Sequence, residues 1–339
     1  MREEESVPRM DNEKEERMLD RLDRRRVRLA GLGLVVATAL VLVAGAVAGP
    51  RAAACGEVVL NENSWVGSTA NVYVLKNVLE SKLKCTVKVL NITEGQPAFQ
   101  AMADGKIDVV MEDWQNLPGT PYEKSKSVVS LGTNGITGVI GWYIPRYLLQ
   151  QYPAFKTWQG LKGKESVFKS PESGSQGMFL GGDPSYVQKD RALIKGLGLN
   201  LKHVVAGAEP AQVARWTQLY KQKKPVLFYW YDPQYLNAQY QVVQVQLPKR
   251  SATCKDDEKK GGDAKQYACS YPSYRLDKLV SKEFLASGSP ALKVIRAFKW
   301  TSKDQNFVAN LISGKKQSKD KAAAAWVKAN GKTVNAWVK

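Results

Sequence analysis

Two hydrophobic patterns alternate along the chain beyond its N-terminal segment. Short apolar runs bounded by polar residues predict buried strands at 58–61, 87–90 and 107–111. Between them, apolar positions recur every three or four residues and predict one helix after Trp65 and another over 93–104. This β-α-β-α-β order indicates a parallel sheet with right-handed crossovers.

The second half of the chain repeats the alternation. Helix-like segments at 190–197 and 210–221 precede a strand-like run at 225–231, and 242–247 alternates Val with Gln as an exposed strand does. From residue 276 onward we expect mainly helix. The order predicts an α/β protein in which the chain crosses between two lobes, each with a mostly parallel central sheet flanked by helices.

The predicted domain organisation has three parts. Residues 55–140 and 242–339 form the first lobe, 141–241 form the second, and 1–54 precede both as a targeting segment. Ligands of parallel sheets bind beyond the carboxyl ends of the strands. We therefore expect the ligand cleft between the lobes, at those strand ends.

The targeting segment contains an uncharged stretch over 29–50 that follows the basic cluster RRRVR. A basic region, an apolar run and small residues in this order are typical of an export signal, and the run is long enough to span a bilayer. Two fates stay open: cleavage near Ala54, or retention as a signal anchor. In either case we expect the rest of the chain outside the cytoplasmic membrane, at the cell surface or in the periplasm and associated with the membrane.

Four cysteines in an exported chain predict disulfides. Cys55 and Cys85 each precede a predicted strand, and the starting ends of neighbouring parallel strands lie at one edge of a sheet. Cys254 and Cys269 bracket a polar, lysine-rich loop. We favour the pairs Cys55–Cys85 and Cys254–Cys269 over a lipidated Cys55, because Ala52 stands where a lipoprotein signal has a leucine-like residue.

The composition narrows the possible chemistry. The chain has 50 Lys and Arg against 32 Asp and Glu, a net charge of +18, and a single histidine, His203. One histidine disfavours histidine-based metal sites and most nucleophilic dyads. The lysines are scattered and no nucleic-acid motif accompanies them, so we interpret the charge as a solvated surface and expect no nucleic-acid partner.

Large aromatic side chains stand at the predicted strand ends. Trp65 and Trp114 follow the first and third strands, the sequence Tyr229-Trp230-Tyr231 ends a later strand, and Trp142 and Tyr143 add a further pair. Aromatic faces attract a quaternary ammonium group, which has no N–H to donate, through cation–π interactions. The alternative is ordinary core packing, which explains most buried aromatic residues.

Three motifs in order resemble one transport family. The segments SWVGSTANVYVLKNVLE, LNITEGQPAFQAMADGKIDVVMEDWQNLP and PVLFYWYDPQY, with the C-terminal helices, resemble the glycine betaine, proline betaine and choline substrate-binding proteins of ABC importers, over roughly 56–339. The resemblance implies a two-lobe periplasmic-binding-protein-like fold that closes on its ligand. It implies a quaternary ammonium ligand, an ABC permease as membrane partner, no catalysis, no cofactor and no metal.

The resemblance also assigns residues. Trp65 and Trp114 match two tryptophans of the family's aromatic cage, and Tyr231 stands where the family has a third, two residues before a proline, with Trp230 shifted by one. Ser173 stands where some family members have a further tryptophan. This difference either weakens the cage or requires another ring, for which Tyr143, Phe179 and Tyr186 are the candidates. Backbone N–H groups of Gly174 and Ser175 match a turn that holds a ligand carboxylate.

Three functions remain open from the sequence. The first is a solute receptor for glycine betaine, proline betaine, choline, carnitine or a larger betaine such as ergothioneine. The second is an envelope hydrolase in which the strand-end acids Glu62, Glu112 and Asp113 pair for acid/base chemistry. The third is a basic module that binds polyanions. If Glu112 or Asp113 faces the cleft, a cation without its own carboxylate is favoured. Outward solvation or capping is the alternative for both.

Overall fold

The computed structural model describes residues 55–258 and 261–339. The predicted export signal and its two fates therefore lie outside the described residues. Within those ranges, none of the helices combines the length and apolar character needed to cross a bilayer.

Nine strands of the described chain form one sheet with the order β2-β1-β3-β9-β4-β7-β5-β6, and β8 pairs with β4. The strands are β1 (Glu57–Asn61), β2 (Thr86–Leu90), β3 (Val109–Asp113), β4 (Val128–Pro145), β5 (Gly177–Gly181), β6 (Leu201–Val205), β7 (Leu227–Asp232), β8 (Val242–Gln244) and β9 (Ser273–Ser281).

The sheet consists of two parallel groups joined by an antiparallel centre. Strands β2, β1 and β3 are parallel to one another, as are β7, β5 and β6. Between the groups lie β9 and the long β4, which pairs with β9 through Val128–Val139 and with β7 through Val139–Tyr143. The predicted α/β fold is confirmed, while the lobe boundaries stay a prediction.

Helices flank both groups of strands. The α-helices are α1 (Val66–Val78), α2 (Gln96–Ala103), α3 (Pro121–Lys124), α4 (Leu148–Gln151), α5 (Trp158–Leu161), α6 (Asp190–Leu197), α7 (Glu209–Lys221), α8 (Lys282–Ala286), α9 (Ala291–Ala297), α10 (Ser302–Ala309), α11 (Lys319–Ala329) and α12 (Gly331–Val338). Single 3₁₀ turns cover Pro153–Lys156, Glu165–Phe168, Pro171–Ser173, Tyr235–Ala238 and Ala264–Tyr267, and π-helical turns cover Leu79–Leu83 and Asn310–Gly314.

Strand β9 corrects the expectation that the chain is mainly helical from residue 276. The segment carries Asp277 and Lys278, both buried, which obscures its strand pattern. Asp277 accepts hydrogen bonds from Arg275 and Ser130, and the Lys278 ammonium donates to two backbone carbonyls at 2.8 Å. Because these polar groups are satisfied, the chain can place them in a central strand. Helix begins only at α8.

Both favoured disulfides are present. Cys55 is bonded to Cys85 with their Cα atoms 4.8 Å apart, and Cys254 to Cys269 with a separation of 6.3 Å. The first bridge links the starts of β1 and β2, which are parallel neighbours, as the strand-edge argument predicts. Because Cys55 is engaged in this bridge, the structure supports the disulfide over a lipidated cysteine.

Candidate ligand-binding site

A small cavity of about 20 Å³ lies where strands of both parallel groups end. Trp65 and Trp114 follow β1 and β3, Tyr186 lies on the loop after β5, and Tyr231 is near the end of β7. Residues from both strand groups therefore meet around one space, as expected for ligands of parallel sheets. The complete lining is Trp65, Glu94, Trp114, Ile140, Tyr186, Val187, Tyr229 and Tyr231.

The aromatic rings meet mainly edge to face. The ring centroids of Trp65 and Tyr186 are 5.5 Å apart at 89°, and those of Trp114 and Tyr231 are 5.7 Å apart at 87°. Tyr186 connects the two pairs, at 6.2 Å from Tyr231 and 6.0 Å from Tyr229. All five rings are buried. They form a continuous aromatic wall, which we call the ring box.

A buried carboxylate positions both tryptophans. Glu112, on β3, accepts the indole N–H of Trp65 at 2.7 Å and that of Trp114 at 2.9 Å on the same oxygen, Oε1. Its other oxygen accepts the Asn71 amide at 2.5 Å. Burial raises the pKa of Glu112 to about 7, although the three hydrogen bonds oppose that rise. When ionised, this carboxylate places negative charge at the N–H edges of the two indoles.

A second buried carboxylate holds Tyr231. Glu209, the first residue of α7, accepts the Tyr231 hydroxyl at 2.5 Å and the Gln234 amide at 2.7 Å on Oε1. Its Oε2 accepts the backbone N–H of Val66 at 2.8 Å. Burial raises the pKa of Glu209 as well. Since Val66 begins α1 and Glu209 begins α7, this carboxylate connects the two strand groups beside the ring box.

A third contact between the groups lies nearby. The Ser64 hydroxyl, in the loop between β1 and α1, donates to Asp183 Oδ2 at 3.0 Å. Asp183 belongs to the loop after β5 that carries Tyr186, and it accepts from Ser185 through its other oxygen. The contact therefore positions the loop that contributes one ring of the box.

The structure brings three of the aromatic residues assigned from the sequence to one cavity and leaves two elsewhere. Trp65, Trp114 and Tyr231 line the ring box, whereas Tyr143 and Trp230 do not. Trp230 packs at 5.0 Å from Trp216 in a separate cluster, and Tyr143 belongs to that cluster too. Successive side chains of a strand point to opposite faces, so Trp230 turns away from Tyr231.

Gly174 and Ser175 are also away from the ring box. They follow the Pro171–Ser173 turn, are exposed, and do not line the cavity. Gly174 has a positive φ of 62°, which explains a glycine at that turn without reference to a ligand. The expectation that this turn receives a ligand carboxylate stays a prediction, and in this structure the turn does not line the ring box.

The strand-end acids have separate partners. Glu62 accepts from Lys319 at 2.6 Å and from Thr69 at 2.6 Å. Asp113 accepts the backbone N–H groups of Asn116 and Leu117, which is the capping alternative. Together with the indole-bound Glu112, each acid therefore has hydrogen-bond partners of its own.

Comparison with known protein families identifies the class of protein to which this chain belongs. The sequence model of the substrate-binding domain of the ABC-type glycine betaine transport system matches residues 56–329. The chain belongs to this family. The match spans nearly all described residues, and the family is one of extracytoplasmic transport receptors.

Solved structures show the same fold. Lactococcal OpuAC, in its closed form with glycine betaine, is 22% identical, with a TM-score of 0.61 over 84% of this chain and all of its own. The glycine betaine/L-proline-binding protein from Borrelia burgdorferi is 21% identical, with a TM-score of 0.65 over 84% of this chain and 97% of its own. A choline-binding protein in complex with choline is 17% identical, with a TM-score of 0.63 over 84% and 92%.

The chain completes its ring box with one candidate from the sequence, Tyr186, and with two residues that the sequence analysis did not assign, Tyr229 and Glu94. Tyr186, one of three candidates for the additional ring, lines the cavity, whereas Phe179 packs against Trp142 at 4.7 Å. Tyr229 lines it because it shares a face of β7 with Tyr231. Glu94 lies in an irregular loop, where no periodicity predicts orientation. The alternation of side chains along β7 could have predicted this position, because Tyr229 is two residues before Tyr231.

Proposed function

We propose that this protein binds a quaternary ammonium compound in the ring box and delivers it to an ABC permease. The observation that carries the proposal is the chemistry of the cavity lining. Five aromatic rings and one carboxylate surround the space, and no Lys, Arg or His is among the lining residues that the structure describes. In a chain of net charge +18, this is a site suited to a cation.

The carboxylates at the ring edges support the same function. Glu112 accepts from the two indole N–H groups and Glu209 from the Tyr231 hydroxyl, so each in-plane donor group points toward a carboxylate. Such polarisation increases the electron density of the ring faces. A desolvated cation–π contact contributes about 2 kcal/mol, and the box offers several faces to one ligand.

Ligand capture by closure fits the contacts between the strand groups. The hydrogen bonds from Ser64 to Asp183 and from Val66 to Glu209 connect the two groups of strands beside the ring box. We infer that these contacts open to admit the ligand and re-form around it, and that the closed form docks on the permease. An intracellular ATPase then drives release.

The same proposal assigns no catalytic step. The acids that an acid/base hydrolase would use are engaged in structural hydrogen bonds or an ion pair. We propose that the receptor acts outside the cytoplasmic membrane and is associated with it, after export by an N-terminal signal that is either cleaved or retained as an anchor. Two disulfides fit that oxidising location.

Calorimetric titration of the full-length protein in a non-ionic detergent tests the proposal. The titrants are glycine betaine, proline betaine, choline, carnitine and ergothioneine. We expect saturable 1:1 binding of at least one, with an affinity that moderate salt leaves within the micromolar range. Absence of binding to all five by a folded sample would contradict the proposal. Salt-sensitive binding to a polyanion would instead support the basic-module alternative.

A further inference from the structure

We infer that the Tyr186 hydroxyl recognises an oxygen atom of the ligand, and so makes this receptor selective for a quaternary ammonium compound that carries an oxygen on a short chain. The inference rests on the proposed function and specifies its ligand. It begins from an asymmetry within the ring box: one of the five rings has a polar hydrogen without an acceptor among the described residues.

The other four rings have polar hydrogens that the protein itself binds. The indole N–H groups of Trp65 and Trp114 donate to one buried carboxylate, at 2.7 and 2.9 Å. The Tyr231 hydroxyl donates to a second buried carboxylate at 2.5 Å, and the Tyr229 hydroxyl donates to a backbone carbonyl at 3.2 Å. These four hydrogens are therefore already engaged and do not serve a ligand oxygen.

Tyr186 differs from its four neighbours. Its side chain is 4% exposed, it lines the cavity, and its hydroxyl has no hydrogen-bond partner in the part of the chain that the structure describes. A buried hydroxyl without a partner is costly, and native proteins leave few polar groups in this condition. A ligand oxygen bound in the ring box would supply the partner.

The position of Tyr186 does not depend on its hydroxyl. Its backbone N–H donates to the carbonyl of Asp183 at 3.0 Å, and the Asp183 side chain accepts from Ser64 of the other strand group. Its ring packs edge to face against Trp65, with the centroids 5.5 Å apart. A phenylalanine could make the same backbone and ring contacts, so the fold alone does not explain the hydroxyl.

The hydroxyl remains a donor at neutral pH. Burial raises the pKa of Tyr186 well above its ordinary value of 10.0, and the nearby carboxylates of Glu209 and Asp183 raise it further. A trimethylammonium group cannot accept a hydrogen bond, because its nitrogen has no lone pair. The Tyr186 hydroxyl is therefore suited to the end of the ligand that lies away from the cation.

One small ligand can contact the ring faces and this hydroxyl together. The Tyr186 ring centroid is 5.5 Å from that of Trp65, 6.0 Å from that of Tyr229 and 6.2 Å from that of Tyr231. A cation bound by the neighbouring faces thus lies close to Tyr186, and a short carbon chain can bring an oxygen to its hydroxyl. The alcohol of choline and the carboxylate of a betaine are both acceptors of this kind, whereas tetramethylammonium has no acceptor.

The test compares tetramethylammonium with choline and the four carboxylate-bearing compounds of the panel. Dissociation constants are measured by calorimetry, in the same detergent, for full-length wild type, Tyr186→Phe and the control Tyr147→Phe. The control makes the same chemical change outside the ring box, where the Tyr147 hydroxyl donates to the Lys224 carbonyl at 2.7 Å. Circular dichroism confirms that each variant is folded.

We expect wild type to bind at least one oxygen-bearing ligand more tightly than tetramethylammonium. Tyr186→Phe should raise the Kd of that ligand about fivefold if its oxygen is a hydroxyl and about twentyfold if it is a carboxylate, because a hydrogen bond to a charged acceptor is stronger. The Kd of tetramethylammonium should change by less than about twofold, since the aromatic face is kept. Tyr147→Phe should leave every Kd unchanged.

Three results would overturn the inference while leaving the receptor function intact. They are a wild type that does not prefer an oxygen-bearing ligand to tetramethylammonium, an unchanged Kd for that ligand in folded Tyr186→Phe, and an equal rise in Kd for all ligands in that variant. The last result would mean that the substitution disturbs the box as a whole. Failure of folded wild type to bind any of these compounds would overturn both the inference and the proposed function.

Discussion

Replacing Trp65 by alanine should reduce affinity for a quaternary ammonium ligand without unfolding the protein. Trp65 is 3% exposed, donates its indole N–H to Glu112, and presents its ring to the cavity beside Tyr186. Its loss removes one desolvated cation–π contact, about 2 kcal/mol, which corresponds to an increase in Kd of about thirtyfold. It also leaves one fewer donor to the buried Glu112 carboxylate.

The companion variant Trp65→Phe separates the two contributions. Phenylalanine keeps an aromatic face but cannot donate to Glu112, so we expect an increase in Kd of only about threefold to tenfold. Both variants are measured by calorimetric titration with the best ligand of the panel. The matched control is Trp158→Ala, a half-buried tryptophan at the start of α5 that does not line the cavity. Unchanged affinity in folded Trp65→Ala would refute the ring-box assignment.

Three further predictions concern charge, the disulfides and closure. Burial raises the pKa of Glu112 from its ordinary value of 4.5 to about 7, so the free energy of unfolding falls as pH rises from 4.5 to about 7. In calorimetric scans, Glu112→Gln should therefore raise Tm relative to wild type at pH 8.5 but not at pH 5. Replacing Cys254 and Cys269 by serine opens a link across 15 residues and should cost about 3 kcal/mol in denaturant unfolding; an unchanged midpoint would contradict it. Ser64→Ala removes the hydrogen bond to Asp183, and we expect a rise of about fivefold in Kd, mainly through faster dissociation in stopped-flow fluorescence.

The sequence predicted the first three strands of the sheet because their polarity pattern is regular. It also placed Trp65 and Trp114 together, because residues after neighbouring parallel strands meet at one edge. Strand β9 was missed, since Asp277 and Lys278 break the apolar run and only the folded chain shows how their charges are satisfied. The polarity pattern of a short segment does not show which residues distant in sequence will form hydrogen bonds with its polar side chains.

The candidate site was predicted in part for a related reason. On β7, the resemblance makes Trp230 a candidate as well as Tyr231, because the family's tryptophan is shifted by one position here. Strand alternation places these two neighbours on opposite faces. The strand instead contributes Tyr229 and Tyr231 to the box. Glu94 and Tyr186 lie on loops, whose side-chain directions depend on tertiary contacts such as the one between Ser64 and Asp183.

The most direct measurement compares each ligand with its carbon isostere. Choline and 3,3-dimethylbutan-1-ol have the same shape, as do glycine betaine and 3,3-dimethylbutanoate, but only the nitrogen compounds carry a quaternary ammonium group. If the ring box acts through cation–π attraction, the nitrogen member of the pair that binds should have a Kd at least about tenfold lower in calorimetric titration. Equal affinity, or tighter binding of the carbon isostere, would contradict the account, because the rings would then act only as an apolar surface.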